Sequence, residues 1–372
     1  MPRNLSTQDQ NALQQTIESL VDPGLIGSSV RVTDEHGEWT GSAGVAELGG
    51  SAAPPSDGHI RVGSTTKTFT AAMVLQLVAE GRVELDGPVS RYLPEFGIDE
   101  RITVRMLLQQ TTGLFNFTGE VYDDGSVVLG VTMPYGPKGN DWLDRRFETH
   151  RPEDLVEYAL ARPVRFEPGA GWSYANTNYV IARLLIEQVT GNPVQTEMER
   201  LILGPLGMRH TVVPTGAEIA EPHARAYYRH EADGEQRTVD ITRQNPSWCS
   251  AGGDMISTTE DLRTFIQALA GGRLLPAELQ EAMFTPIATG IPNMDYGLGV
   301  FVLTTEDGAT VVSATGASVG HAAVVYSTPD GSKTLTAALN CVDDANMTLA
   351  AMSFHRAQQG LLAAVFGGGK PE

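Results

Sequence analysis

Lysine is almost missing from this 372-residue chain, which contains four. Lys and Arg together number 26 against 45 Asp and Glu, a formal charge of −19. So anionic a surface repels phosphate backbones and acidic bilayers, which excludes nucleic acid and membrane surfaces as expected partners. Cysteine is equally scarce. Cys249 and Cys341 cannot build a disulfide framework, and neither lies in an activating local pattern. No run of about 18 apolar residues is present, which excludes a membrane-spanning helix. The eight histidines include no His-x-x-x-His pair, so neither a metal nor another cofactor is expected. The first residues, Met-Pro-Arg-Asn-Leu-Ser-Thr-Gln-Asp-Gln, lack a basic-then-apolar segment, and the expected location is cytoplasmic. There is no internal repeat or low-complexity tract.

What is present is enough apolar residue, 41%, for a sizeable core in a 39.9 kDa chain. That size suits one large domain or two interleaved ones. Residues 6–20 predict an amphipathic helix capped by Ser6, and Ser29–Thr33 and Glu38–Ala43 predict strands. From about 82 to 240 helical patterns dominate, including Pro152–Ala161 and Asn178–Thr190. Within them, residues 118–149 are long and weakly periodic, as lids and binding loops are. After Ser257 come a helix at Asp261–Ala270, strands at Val300–Thr305, Thr310–Ser313, His321–Ser327 and Thr334–Asn340, and a terminal helix at Asn346–Phe366. Short turns between these strands imply antiparallel hairpins. The expected fold is α/β of the α+β kind, an antiparallel sheet flanked by helices with a helical domain inserted. Residues 1–80 with 245–372 would form the sheet domain and 81–244 the helical one.

The chemistry begins at Ser64-Thr65-Thr66-Lys67. Residues three apart share a helix face, so the Lys67 amine would stand beside the Ser64 hydroxyl and could take its proton. A serine at a helix start also meets the positive end of the macrodipole. About 110 residues later comes Tyr174-Ala175-Asn176, and Ala314-Thr315-Gly316 lies on an expected strand.

These three ordered motifs resemble those of the serine penicillin-recognising enzymes, which include class C β-lactamases, D,D-carboxypeptidases and β-lactamase-like esterases and transacylases. The similarity extends over roughly residues 10–365, through Arg-Val-Gly-Ser-x-Thr-Lys, Leu-Gln-Leu-Val-x-Glu-Gly, Arg-Ile-Thr-Val-Arg and Tyr-Gly-Leu-Gly. The resemblance implies a β-lactamase/transpeptidase-like fold with 81–244 carrying Tyr174 and Asn176. It implies Ser64 as the nucleophile, Lys67 as proton acceptor or relay, and Tyr174 as general acid/base. Asn176 would bond Lys67 and the substrate amide. The backbone N–H groups of Ser64 and Ala317 would form an oxyanion hole. Trp248, Ala314, Thr315, Gly316 and Phe301 would line the substrate site.

Two departures bear on substrate. The family's third motif begins with Lys or His, where this chain has Ala314. Related carboxypeptidases carry an arginine soon after Gly-Leu-Gly, where Phe301, Val302 and Leu303 follow here. Each charge-assisted contact to a carboxylate is worth about 1.5–3 kcal/mol. His321, the next histidine along, reads better as a structural residue than as a substitute cation. A milder departure is Gln110, before Thr111-Thr112-Gly113-Leu114, where the family often has histidine. The expected activity is acyl transfer from a small neutral ester or amide through acyl-Ser64, to an amine or alcohol as in natural-product biosynthesis, or to water. The alternatives are a D-stereospecific peptidase, D,D-carboxypeptidase or weak β-lactamase, and a catalytically silent sensor.

Overall fold

The computed structural model describes residues 7–122, 124–131, 139–345 and 349–367. Helix α1 is Thr7–Leu20, and the expected Ser6 cap lies outside the described residues. Strands β1 (Leu25–Asp34) and β2 (Gly37–Gly44) form a hairpin closed by Asp34 opposite Gly37. Both run longer than their alternation predicts, because backbone pairing continues through Gly27 and Gly44.

The chain then leaves the sheet for helices α2 (Thr66–Ala79), α3 (Val104–Gln109) and α4 (Asn176–Thr190). It returns in a hairpin, β3 (Tyr227–Ala232) and β4 (Glu235–Asp240), inside the stretch whose sequence reads as mainly helical. The missed signal is its turn: Asp233 and Gly234 both have positive φ, the conformation that Asp-Gly favours between paired strands. Helix α5 (Thr259–Ala270) precedes β5 (Ile287–Ile291), β6 (Met294–Tyr296), β7 (Phe301–Thr304), β8 (Thr310–Ser313), β9 (Gly316–Ser318), β10 (His321–Ser327) and β11 (Thr334–Asp344). Helix α6 (Leu349–Phe366) follows; the first three residues of its expected range lie outside the described ones.

The main path through the sheet is β2-β1-β11-β10-β8-β7-β6-β5, with β9 beside β10 and β3 beside β11. All these pairings are antiparallel except β3 with β11, which carries β11 past its expected end to Asp344. Alternation along β10 divides the core. Ala322, Val324 and Tyr326 meet α1 and α6, while Ala323 and Val325 meet the side of α2, α4 and α5. Both faces are covered, so β10 is buried along its whole length. The expected lid at 118–149 holds a small hairpin, Gly119–Val121 with Val127–Leu129, and a helix at Gly139–Arg145; residues 123 and 132–138 lie outside the described ones.

Candidate active site

Helix α2 is apolar nearly all round, and Phe69, Ala71, Ala72, Met73, Val74, Leu75 and Leu77 are fully buried. A helix of that kind belongs inside the protein. Its threonines satisfy their hydroxyls locally or across the core: Thr66 donates to Gly63 O at 2.8 Å, and Thr68 to Gly299 O at 2.6 Å. Ser64 is not in the α-helix itself. It occupies a 3₁₀ turn, Gly63–Thr65, that feeds directly into α2, and it is half-buried.

Lys67 is buried beside it. Its Nζ donates to Ser64 Oγ at 3.1 Å, Asn176 Oδ1 at 2.7 Å and Gly252 O at 2.5 Å. Three acceptors thus surround the nitrogen and fix its position. The same nitrogen stands 4.8 Å from the Tyr174 ring centroid and 5.6 Å from that of Tyr179. Tyr174 donates to Ser64 Oγ at 2.8 Å, so two donors converge on one serine oxygen. Donors to an oxygen favour its anionic form.

Asn176 opens α4 and is held from the loop before the small hairpin. Its Nδ2 donates to Thr118 Oγ1 at 3.1 Å, and its N–H to Asn116 Oδ1 at 3.1 Å. Thr118 in turn donates to Asn116 Oδ1 at 2.9 Å. Asn116, Thr118 and Gly252 were not legible as site residues, since loop residues carry no periodic signal.

The strand carrying Ala317 lies against the Ser64 turn because two glycines face each other there. A Cβ on Gly63, whose φ is 53°, would overlap Ala317 O, and one on Gly316 would meet the backbone nitrogens of Ser64 and Thr65. Ser318 pairs with His321 across the two-residue turn Val319–Gly320, and Ala317 pairs with Ala322. Ladder alternation therefore turns the Ala317 N–H and C=O away from β10, toward the edge where Gly63 and Ser64 lie. Ala317 is exposed on that edge.

The other expected lining residues divide. Ala314 is buried in the core, and its N–H donates to Val325 O at 3.0 Å. Thr315 Oγ1 spends its hydrogen bonds on its own sheet, accepting from Val325 N at 3.0 Å and from Ser313 at 3.1 Å. Phe301 is half-buried and meets Tyr296 edge-on at 4.6 Å and Trp172 at 6.4 Å. Trp248 packs on the cluster of Trp142, Tyr228, Ile241 and Val319.

Two further groups stay neutral. Burial holds the His321 imidazole down to about 4, and its Nε2 lies 3.0 Å from Ala224 O. It supplies no positive charge at neutral pH. Burial also pushes the Cys249 thiol well up, which removes it as a nucleophile. Arg61 is a buried cation three residues before Ser64; desolvation lowers it to about 10, and it donates to Ala217 O and Thr242 O rather than to a carboxylate. Among the described residues, no group of three or more His, Cys, Asp or Glu is arranged to hold a metal. No described helix is long and apolar enough to cross a membrane.

A beta-lactamase family model matches residues 13–357. The chain is 34% identical to a D-stereospecific amidohydrolase from Streptomyces sp., whose structure superposes with a TM-score of 0.81 over 97% of this chain and 99% of that one. It is 33% identical over 230 residues to esterase EstB of Burkholderia gladioli, covering 59% of this chain and 54% of the esterase. It is 24% identical over 317 residues to penicillin-binding protein 4* of Bacillus subtilis (strain 168), covering 82% of this chain and 65% of that protein. The chain thus spans less than two thirds of either of the last two.

Proposed function

The chain belongs to the beta-lactamase family, and on that premise we propose that it is a serine hydrolase that forms acyl-Ser64 from small neutral amides and esters. The observation that carries the reading is the convergence of Lys67 and Tyr174 on Ser64 Oγ, at 3.1 and 2.8 Å. Ser64 attacks the acyl carbonyl from the form in which one of Lys67 and Tyr174 has given up its own proton, and that group takes the Ser64 proton. The developing oxyanion is received by the N–H groups of Ser64 and Ala317. Tyr174 returns the proton to the departing amine or alkoxide, then takes one from the incoming acceptor. With water as acceptor the products are an acid and a free Ser64; with an amine, the acyl group moves to a new amide.

Neutral substrates are favoured by what stands at the positions where the resembled family carries cations. Ala314 is buried and aliphatic, Phe301 is aromatic, and Thr315 has its hydroxyl committed to β10. A free carboxylate would therefore lose charge-assisted contacts worth about 1.5–3 kcal/mol each. The full-length likeness to a D-stereospecific amidohydrolase favours an acyl part of D configuration, and the esterase likeness favours tolerance of an alkoxide leaving group.

The test is a panel of D- and L-alaninamide, p-nitrophenyl butyrate, D-alanyl-D-alanine and nitrocefin, run with purified protein and with Ser64→Ala. Preferred turnover of a carboxylate-free member, lost in Ser64→Ala along with the acyl adduct seen by intact mass, is the expected result. Faster turnover of the carboxylate-bearing members, or full activity in Ser64→Ala, would overturn the reading. Adding amines to the same reactions and looking for new amides separates transfer from hydrolysis.

A further inference from the structure

We propose that Gln110 is a positioning residue for Tyr174, one that aims the phenol at Ser64; the inference rests on the acyl-serine reading above. Gln110 is fully buried and ends α3 in the left-handed region, with φ 65°. Helices that end in this conformation most often place glycine there, and a Cβ costs about 1–2 kcal/mol in it. A bulky residue held against that preference is a backbone outlier that calls for a reason.

The reason lies in its hydrogen bonds. The Gln110 carbonyl accepts from Ser173 N at 3.1 Å, and its side-chain Oε1 accepts from Ala175 N at 3.0 Å. The residues before and after Tyr174 are thus both tied to one residue. Oε1 also accepts from Asn178 Nδ2 at 2.6 Å, while Asn178 Oδ1 accepts from Thr112 at 2.7 Å. That chain fixes the amide orientation, so Oε1 rather than Nε2 faces Ala175. The left-handed conformation lets carbonyl and side chain reach the same short segment, residues 173–175, together. A phenol 2.8 Å from Ser64 Oγ is carried out of bonding range by a shift of about 1 Å, and misplacement on that scale costs roughly 10²-fold in rate. An amide does not ionise near neutral pH, so the grip holds equally across the working range.

Four proteins test this: wild type, Gln110→Gly, Gln110→Glu and Tyr174→Phe, each on a neutral amide and on p-nitrophenyl butyrate. Glycine adopts the left-handed turn freely but offers no acceptor to Ala175; glutamate keeps one. A p-nitrophenolate departs without a proton, whereas an amine needs one from Tyr174. Gln110→Gly should lower kcat for the amide roughly 10- to 100-fold, lower it less for the aryl ester and leave KM within about threefold. Its melting midpoint should stay within a few degrees of wild type, and Gln110→Glu should recover most of the amide activity. Gln110→Gly with wild-type amide turnover, beside an impaired Tyr174→Phe, would overturn the positioning role alone. Equal losses on both substrates that Gln110→Glu does not recover would also overturn it, marking Gln110 as packing. Full amide activity in Tyr174→Phe would instead remove the proton return by Tyr174 on which the role depends, while the acyl-serine reading itself is tested by Ser64→Ala.

Discussion

Lys67 and Asn176 are tied together across the site, Nζ to Oδ1 at 2.7 Å, and the other end of the Asn176 amide is tied to Thr118. The loop before the small hairpin thereby fixes where the buried Lys67 amine points. Asn176→Ala removes one of three acceptors around Nζ and frees the lysine to turn from Ser64. A fall in kcat of roughly 10- to 100-fold is expected, with little change in melting temperature, because Asn176 is only half-buried. Steady-state kinetics beside a thermal melt check it; an unchanged kcat would show that Gly252 O and Ser64 hold Lys67 without help.

Gly316 is where strand β9 touches the Ser64 turn. A methyl group there meets the Ser64 and Thr65 nitrogens, so Gly316→Ala should push β9 outward and carry the Ala317 N–H with it. Loss of one oxyanion donor costs roughly 10²–10³ in rate. The expected phenotype is a folded protein, by circular dichroism, with kcat depressed to that degree.

Phe301→Arg places a cation at a half-buried position in the aromatic group with Trp172 and Tyr296. Relative kcat/KM for D-alanyl-D-alanine over D-alaninamide should rise about tenfold or more, the value of one charge-assisted contact. The rise should shrink in high salt. A ratio that stays flat would mean the arginine side chain points away from the substrate.

His321 makes stability depend on pH. Folded, its imidazole takes up a proton near pH 4; unfolded, near 6.5. The unfolded chain binds more protons between those values, so stability is complete above 6.5 and falls as pH drops toward 4. The slope approaches 1.4 kcal/mol per pH unit. His321→Gln, which can still donate to Ala224 O, should be less sensitive to acid than wild type over that window. Urea midpoints for the two proteins at pH 7 and pH 5 decide the matter, and parallel losses would exclude His321 as the source.

The sequence carries much of this molecule in local patterns. Ser64 and Lys67 declare themselves by spacing, and the strands Thr310–Ser313 and His321–Ser327 have the bounds that their strand-forming residues and flanking turns predict. Other features depend on partners far along the chain. The extension of β11 to Asp344 needs β3 beside it, and the β3–β4 hairpin is too polar to stand out except at its turn. Gln110 looked like a minor departure from a family pattern because its work is done against Ser173 and Ala175, more than 60 residues away. Ala314 and Phe301, by contrast, were readable as absences, since a missing charge is visible wherever a motif sets the place for it.

The sheet joins the two ends of the chain, with β1 between β2 and β11 and with Ala317 arriving long after Ser64. During synthesis, a chain that has already emerged with Ser64, Lys67, Tyr174 and Asn176 still lacks β9 and leaves one edge of β1 unpaired. Contacts this distant in sequence form late and slowly. On the proposed mechanism the nucleophile is therefore translated early but armed late, and a chain cut short before residue 310 would carry every side chain of the proposed proton relay without the Ala317 donor proposed to speed acyl transfer.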